Sequence, residues 1–477
     1  MRAGIVAMPQ SLPGVGQWLR SARRWAATAE GRHFLLVLGL ALAVRLAIAP
    51  IRGFDHDLQA YVTWGESLDH FGLRVYAGNP SVSYPPLTVY FFGLMSGVAL
   101  IWHAMNGLPL DLTVRDSSAL MAFMRLPFIL SDLITICLLY VVARRVVGAR
   151  LALLAVGVYA FLPAMLLDGN VWPQSDGVMT LGILVTALLA LRGRAGWAGA
   201  VMAATLLIKP QPMVFAPLLL VYLWRWYGRR AAMRAGFGLV GTGTLICLPL
   251  LLPPHPDILS FVANLRAFMA TQPMASPSAY NLWWLLGIQR TAAGAPWLGP
   301  LSISLVGLAL FTGVLLVAAV CLWRDRSPQT LFVVWAVVGL AAFDLMSGQH
   351  ERYVYPCVAL LLLAGLYQRR YWFLSALISF TMFINHALVI LWYPRLNHAV
   401  LNFTGARDYF AAHPAYSVAI SAINVVALVA ALVMMWRRAT LDDTHAVSTG
   451  TTRRADAERG LLFVMQREFE TAGEQAR

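Results

Sequence analysis

Charge is what this chain has least of. Asp, Glu, Lys and Arg make up 12% of its 477 residues, against roughly 25% in a soluble domain. Lysine is almost missing: of 36 basic residues, one is lysine, Lys209, and the rest are arginine. Cysteine is sparse. Cys137, Cys247, Cys321 and Cys357 each lie in or beside an apolar run without metal-ligand spacing, which excludes a disulfide framework and reads as small buried hydrophobes. No small-residue cleavage site follows the first apolar run, so that run reads as a retained span and not a signal peptide. No internal repeat of fixed period is visible, which counts against the paired half-repeats of many transporters.

What is there is hydrophobic. Apolar residues make up 59% of the chain and fall in runs close to the roughly 20 residues that cross a bilayer. The runs lie near 34–50, 86–105, 122–143, 149–168, 176–191, 195–208, 212–224, 235–253, 303–323, 328–347, 353–367, 371–392 and 416–436. This predicts an all-α, polytopic membrane protein with 12 or 13 spans and long non-cytoplasmic loops. The net charge of +14 and pI of 10.0 come from arginines in short loops between runs. The membrane explains them, and nucleic-acid binding does not.

The connections are of two kinds. Short arginine-bearing ones (Arg144/Arg145/Arg150, Arg192/Arg194, Arg225 to Arg234, Arg324/Arg326, Arg369/Arg370, Arg437/Arg438) are expected on the cytoplasmic side. Those at 51–85, 169–175, 254–302, 348–352 and 393–415 carry Pro, Asp, His and aromatics and are expected outside. The alternation holds from residue 122 onward. Before that, either 86–105 is re-entrant or interfacial, the preferred reading, or the charge rule fails once. The expected domains are a cytoplasmic segment 1–33, a membrane domain 34–436 with outer loops 51–85 and 254–302, and a cytoplasmic tail 437–477 with at most a short helix.

Polar residues gather at the outer boundaries. Asp57, Tyr61, Trp64 and Leu68 are spaced as one face of a helix lying at the membrane surface. Asp55 suits a helix N-cap; Asp57 is the candidate for chemistry. Tyr84-Pro85-Pro86 reads as a helix start. Asp132, inside a run, needs a partner, and Arg125, seven residues earlier on the same face, is the expected one. Trp172-Pro173-Gln174-Ser175-Asp176 offers an aromatic, an amide and a carboxylate, residue types that bind sugars and also simply join helices. Lys209, between two short runs, is a point charge suited to phosphate, with snorkelling to the interface as the bland alternative. Arg266 can hold an anionic head group. Tyr280-Asn281-Leu282-Trp283-Trp284 resembles an interfacial anchor. His350-Glu351-Arg352 can bind phosphate or shuttle protons, and no second histidine at a spacing of four supports a metal.

Taken in order, these pieces resemble the endoplasmic-reticulum asparagine-linked glycosylation glucosyltransferases that use dolichyl-phosphate glucose, and their relatives of the glycosyltransferase C fold. The resemblance rests on Asp57 with Trp64, Tyr84-Pro85-Pro86-Leu87-Thr88, Phe123-Met124-Arg125 with Ser131-Asp132-Leu133, Leu207-Ile208-Lys209 with Phe215-Ala216-Pro217, Asn281 with Trp283, and His350-Glu351. The chain departs in the long loop around Arg266, at Gln174, and in having arginine after His350-Glu351. The resemblance implies a hexose, glucose or mannose, carried on a polyprenyl phosphate and passed with inversion to a lipid-linked or polymeric glycan. Asp57 would be the general base, and Lys209, His350 and Arg266 the holders of donor phosphate. Asp55, Trp64, Tyr84, Gln174, Asn281, Trp283 and Glu351 would line the substrate site. No metal and no cofactor is implied. The arginine bias looks bacterial, which would place the protein in an inner membrane with its site facing the periplasm. A lipid-linked sugar flippase is the alternative, but it would need polar residues through the depth of the membrane.

Overall fold

The computed structural model describes residues 23–49, 55–110, 118–253, 256–271, 273–325, 327–393 and 403–448. Within them the apolar runs are helices. Seven are long and apolar enough to cross a membrane: Ala29–Ile48, Pro86–Met105, Ala122–Val147, Arg229–Leu251, Ile303–Arg324, Arg370–Trp392 and Ala415–Thr440. An eighth candidate is the pair Ala149–Ala160 and Pro163–Val171, bent by 46°. Pro163 at the first turn of the second piece explains the break, because it cannot continue the preceding ladder. The protein is a multi-pass integral membrane protein, and among the described residues it is helical but for one two-stranded ribbon, Pro296–Leu298 with Leu301–Ser302.

Five more apolar helices are shorter, between 10 and 17 residues. Burial explains part of this. Thr330–Leu345 is buried over nearly its whole circumference and Tyr355–Gly365 over all of it, so these two pack against protein and need not match a lipid thickness. Rim helices differ: Arg229–Leu251 keeps Phe237, Val240 and Leu245 exposed. It meets Ala195–Leu206 through small residues. A Cβ on Gly199 would lie 1.9 Å from the Ala235 carbonyl oxygen, and one on Gly238 would lie 2.1 Å from that of Gly196. Small residues are what let two membrane helices approach so closely.

Pro86–Met105 is one unbroken helix of 20 residues, about 30 Å at 1.5 Å per residue. It does not double back, so a re-entrant hairpin is not its form. Pro85 and Pro86 start it as expected, with Pro86 in the first turn. The expected helix after the first span forms as Asp55–Phe71, burying Leu58, Tyr61, Val62 and Trp64. At the other end of the bundle the arginine loops meet. Arg144 pairs with Glu30, Arg438 with Asp325 at 2.7 Å, and Arg225 donates to the Trp323 carbonyl at 2.8 Å. Ala415–Ser448 runs on past Arg437 and Arg438 as one helix. Segments 1–22 and 449–477, parts of the two expected cytoplasmic extensions, lie outside the described residues.

Candidate functional site

The site begins at the bent pair. Its second piece ends in a π-helical turn, Leu167–Val171, in which the Trp172 amide donates to the Leu167 carbonyl at 2.8 Å. Such widened turns often occur where function needs a side chain re-aimed. The Gln174 amide then donates to the Asp168 carbonyl at 3.1 Å. Trp172 and Gln174 are thereby presented, nearly fully buried, to helix Asp55–Phe71. Trp172 Nε1 donates to Asp57 Oδ2 at 2.8 Å, and Gln174 Nε2 donates to the same oxygen at 2.6 Å. Tyr61, one turn along from Asp57, donates its hydroxyl to Gln174 Oε1 at 3.3 Å. Trp64 packs against Tyr84 with ring centroids 4.8 Å apart and planes tilted by 34°. Asp57, Trp64, Tyr84 and Gln174 therefore lie together. Asp55 opens the same helix, and its side chain lies outside the described residues.

Lys209 is 1% exposed, so it does not snorkel to an interface. Its Nζ lies 2.7 Å from Asp176 Oδ2 and 5.3 Å from the centre of the Tyr353 ring. The start of the Pro86 helix is tied to the same stretch: Thr88 Oγ1 donates to the Ile208 carbonyl at 2.6 Å, and the Leu87 amide to the Leu207 carbonyl at 3.1 Å. Two sequence motifs some 120 residues apart thus form one wall.

Arg352 links the two halves. Its guanidinium lies over the Trp172 ring at 5.3 Å, bonds Glu351 through Nη1 at 2.6 Å, and stands 3.8 Å from Asp176 through Nε. That Nε is buried without a hydrogen-bond partner. Burial pushes the Glu351 carboxyl up, but Arg352 and His350 outweigh it and hold it well below the usual carboxylate range. Burial, helped by the Arg352 charge, pushes the His350 imidazole down to about 4. His350 is therefore neutral at neutral pH, a hydrogen-bonding group and not a standing positive charge. Its Nδ1 lies 3.1 Å from Ser278 Oγ, which also donates to Glu351.

Other predicted residues fall elsewhere. Asn281 caps the short helix Leu282–Leu285 by accepting from the Trp283 and Trp284 amides, and donates to the Phe343 carbonyl at 3.0 Å. Trp283 is fully buried, with Nε1 donating to the Leu345 carbonyl at 3.0 Å. Both hold the long outer loop to the bundle. Arg266 is exposed on helix Ile258–Ala270 and does not join the charged network.

Asp132 does not pair with Arg125. Its partner is Arg45 of the first span, Nε to Oδ2 at 3.0 Å, and Tyr355 donates to its other oxygen at 3.3 Å. Arg125 instead donates to the Ala49 carbonyl. Helical spacing placed Arg125 on the right face, but a neighbouring helix supplied a nearer cation. Asp132 lies directly under the loop: a Cβ on Gly177 would stand 2.9 Å from its Oδ1, and one on Gly169 would stand 3.1 Å from its Oδ2. Sequence reasoning also passed over Arg352 as a site residue, although it stood in the His-Glu-Arg cluster. It named Asp176 as the carboxylate of the Trp172 loop without giving it a role, and passed over Asp168 with His386, whose signal was ionisable residues inside apolar runs. Among the described residues, no three His, Cys, Asp or Glu side chains converge as metal ligands.

Span-length helices with buried charge gathered beneath one set of loops define a multi-pass membrane protein with a candidate site at that end of the bundle. Residues 81–263 match the model of the ALG6, ALG8 glycosyltransferase family, so the chain resembles that family in the stretch holding Tyr84, Asp132, Gln174, Asp176 and Lys209. Asp57 and His350–Arg352 flank the matched stretch. Among solved structures the chain is similar to the apo form of the Archaeoglobus fulgidus oligosaccharyltransferase, with a TM-score of 0.41 and 16% identity over 84% of this chain and 56% of that one. The chain thus spans little more than half the length of that structure. No curated protein matches the chain.

Proposed function

We propose that this protein is a membrane glycosyltransferase that takes a hexose from a polyprenyl-phosphate donor and passes it, with inversion, to a lipid-linked or polymeric glycan. One observation carries the reading. A carboxylate, Asp57, is oriented through a single oxygen by Trp172 and Gln174, and the same Trp172 ring carries the guanidinium that joins Lys209 around Asp176. A carboxylate, a buried lysine and a largely buried arginine are thus joined by direct contacts.

The chemistry follows from those parts. Asp57 takes the proton of an acceptor hydroxyl as that oxygen bonds to the anomeric carbon. General-base help of this kind contributes roughly 10²–10⁴ in rate. The bond from the anomeric carbon to the phosphate oxygen breaks, and the departing phosphate gains negative charge. Lys209 and Arg352 meet that charge, and the unpartnered Arg352 Nε is a donor ready for it. Neutral His350 can add a hydrogen bond. Trp64 and Tyr84 offer aromatic surface to a sugar. The lipid tail of the donor would remain in the bilayer, with the site facing the non-cytoplasmic side, the periplasm in a bacterium.

Transfer from polyprenyl-phosphate glucose and polyprenyl-phosphate mannose, in detergent with and without EDTA, tests this. Wild type should consume one donor with or without EDTA, and Asp57→Asn should not, while eluting as a folded protein. An active Asp57→Asn enzyme would remove Asp57 from the mechanism. If neither donor is consumed, the transferase reading fails and a flipping assay takes its place.

A further inference from the structure

Behind the Asp57 site lies a buried pair that the reaction above does not use. His386, in the middle of helix Arg370–Trp392, and Asp168, in the π-helical turn, are both fully buried. His386 Nε2 stands 3.3 Å from Asp168 Oδ1, and His386 Nδ1 stands 3.3 Å from the Met382 carbonyl oxygen. Nδ1 is thus in hydrogen-bond contact with the Met382 carbonyl, and Nε2 faces Asp168 at ion-pair distance without hydrogen-bond geometry, so that a protonated ring here would meet a carboxylate. An isolated charge this deep would be costly, but the Asp168 carboxylate compensates it.

The pair bears directly on Trp172. The His386 and Trp172 rings meet edge to face, centroids 6.1 Å apart at 81°. Arg352 covers the indole at 5.3 Å. The indole thus touches the Arg352 guanidinium over its face and the His386 ring edge to face, while its Nε1–H donates to Asp57. Asp168 also precedes Trp172 by four residues, and its backbone carbonyl accepts from the Gln174 amide, so the residue facing His386 is built into the turn that presents Trp172 and Gln174.

We propose that Asp168 and His386 are positioning residues: as an ion pair they fix the Trp172 indole, and through it the protonation and orientation of Asp57. This rests on Asp57 being the base. A weakened Trp172 bond stabilises the Asp57 carboxylate less, which raises the pH at which it becomes active as a base. The other charged and titratable groups around this unit are Arg352, Asp176, Lys209, Glu351 and His350, the Asp132–Arg45 pair beneath the turn, and the Tyr61, Tyr84, Tyr159 and Tyr355 phenols. None of them is altered in the test.

The test is the pH dependence of kcat/KM for the donor that wild type consumes. Asp168→Asn and Trp172→Phe should each move the acid limb upward by about half to one pH unit, the scale of one lost hydrogen bond to a charged group. The donor KM should be little changed and kcat lowered. The double variant should show no shift beyond that of Trp172→Phe alone. If Trp172→Phe moves the limb and Asp168→Asn does not, or if the two shifts add in full, the pair does not act through Trp172 and the proposal falls. If Trp172→Phe leaves the limb in place, the base assignment of Asp57 falls, and this proposal with it. Should Asp168→Asn fail to elute as a folded protein, His386→Gln carries the same comparison with the same expected and overturning results.

Discussion

The two ends of the bundle use charge differently. At the arginine-loop end, Arg144 and Glu30 pair with side chains 47% and 23% exposed, where water screens them and the pair contributes little. At the opposite end, Lys209 and Asp176 pair at 2% and 0%, with Arg352, Glu351, Arg45, Asp132, Asp168 and His386 buried nearby. Exposed arginines orient a membrane protein at small cost. Buried charge is expensive and is kept where it does something. The exposed pairs fit a topology signal, and the buried ones coincide with the proposed site.

Substitutions can break or sharpen that contrast. Asp57→Asn should have the largest effect, lowering sugar transfer by about 10²–10⁴ with the elution profile unchanged; a smaller loss would make Asp57 an accessory group. Lys209→Ala leaves Asp176 buried with only the more distant Arg352, and should cost about 3–5 kcal/mol of stability, read as a drop in thermal unfolding temperature in detergent. Retention of wild-type stability would mean that water already reaches Asp176. Gly177→Ala sets a methyl 2.9 Å from Asp132 Oδ1, a carboxylate that Arg45 and Tyr355 hold in place. Overpacking of that kind costs about 1–3 kcal/mol, and transfer should fall with it; unchanged melting and transfer would show that Asp132 yields freely.

His350 gives a pH test. Its folded value of about 4 lies below its ordinary 6.5, so below pH 6.5 the unfolded chain takes up a proton that the folded chain refuses. The neutral ring's contribution to stability is complete above that pH and is lost as pH falls from 6.5 toward 4. The drop in melting temperature between about pH 7 and about pH 5 should shrink in His350→Gln. An equal drop would assign acid sensitivity to other groups. Arg144→Ala, at the opposite end, should change stability by less than about 1 kcal/mol; a change comparable to that of Lys209→Ala would erase the contrast between the ends.

The fold was legible because membrane spans write themselves locally. Apolar runs and arginine loops need no knowledge of neighbours, and Pro85-Pro86 and the Asp57–Tyr61–Trp64 spacing are likewise local. Of the candidate site, the sequence could name Asp57, Gln174, Lys209 and His350-Glu351, which the structure gathers at one end of the bundle. The wiring of the site was not legible. Arg45 reaches Asp132 across 87 positions, and His386 lies far along the chain from Asp168; periodicity within one helix cannot show which neighbour supplies a counter-ion. Asn281 and Trp283 matched a motif, yet their visible bonds serve the loop's own anchoring.

The lone lysine has a practical consequence. With a single side-chain amine in the whole chain, a reagent that methylates amines with an isotopic label places one side-chain reporter, at Lys209. Because that amine is buried against Asp176, its labelling rate measures how often the site opens, and its resonance would follow the arrival of a donor phosphate without any engineered probe.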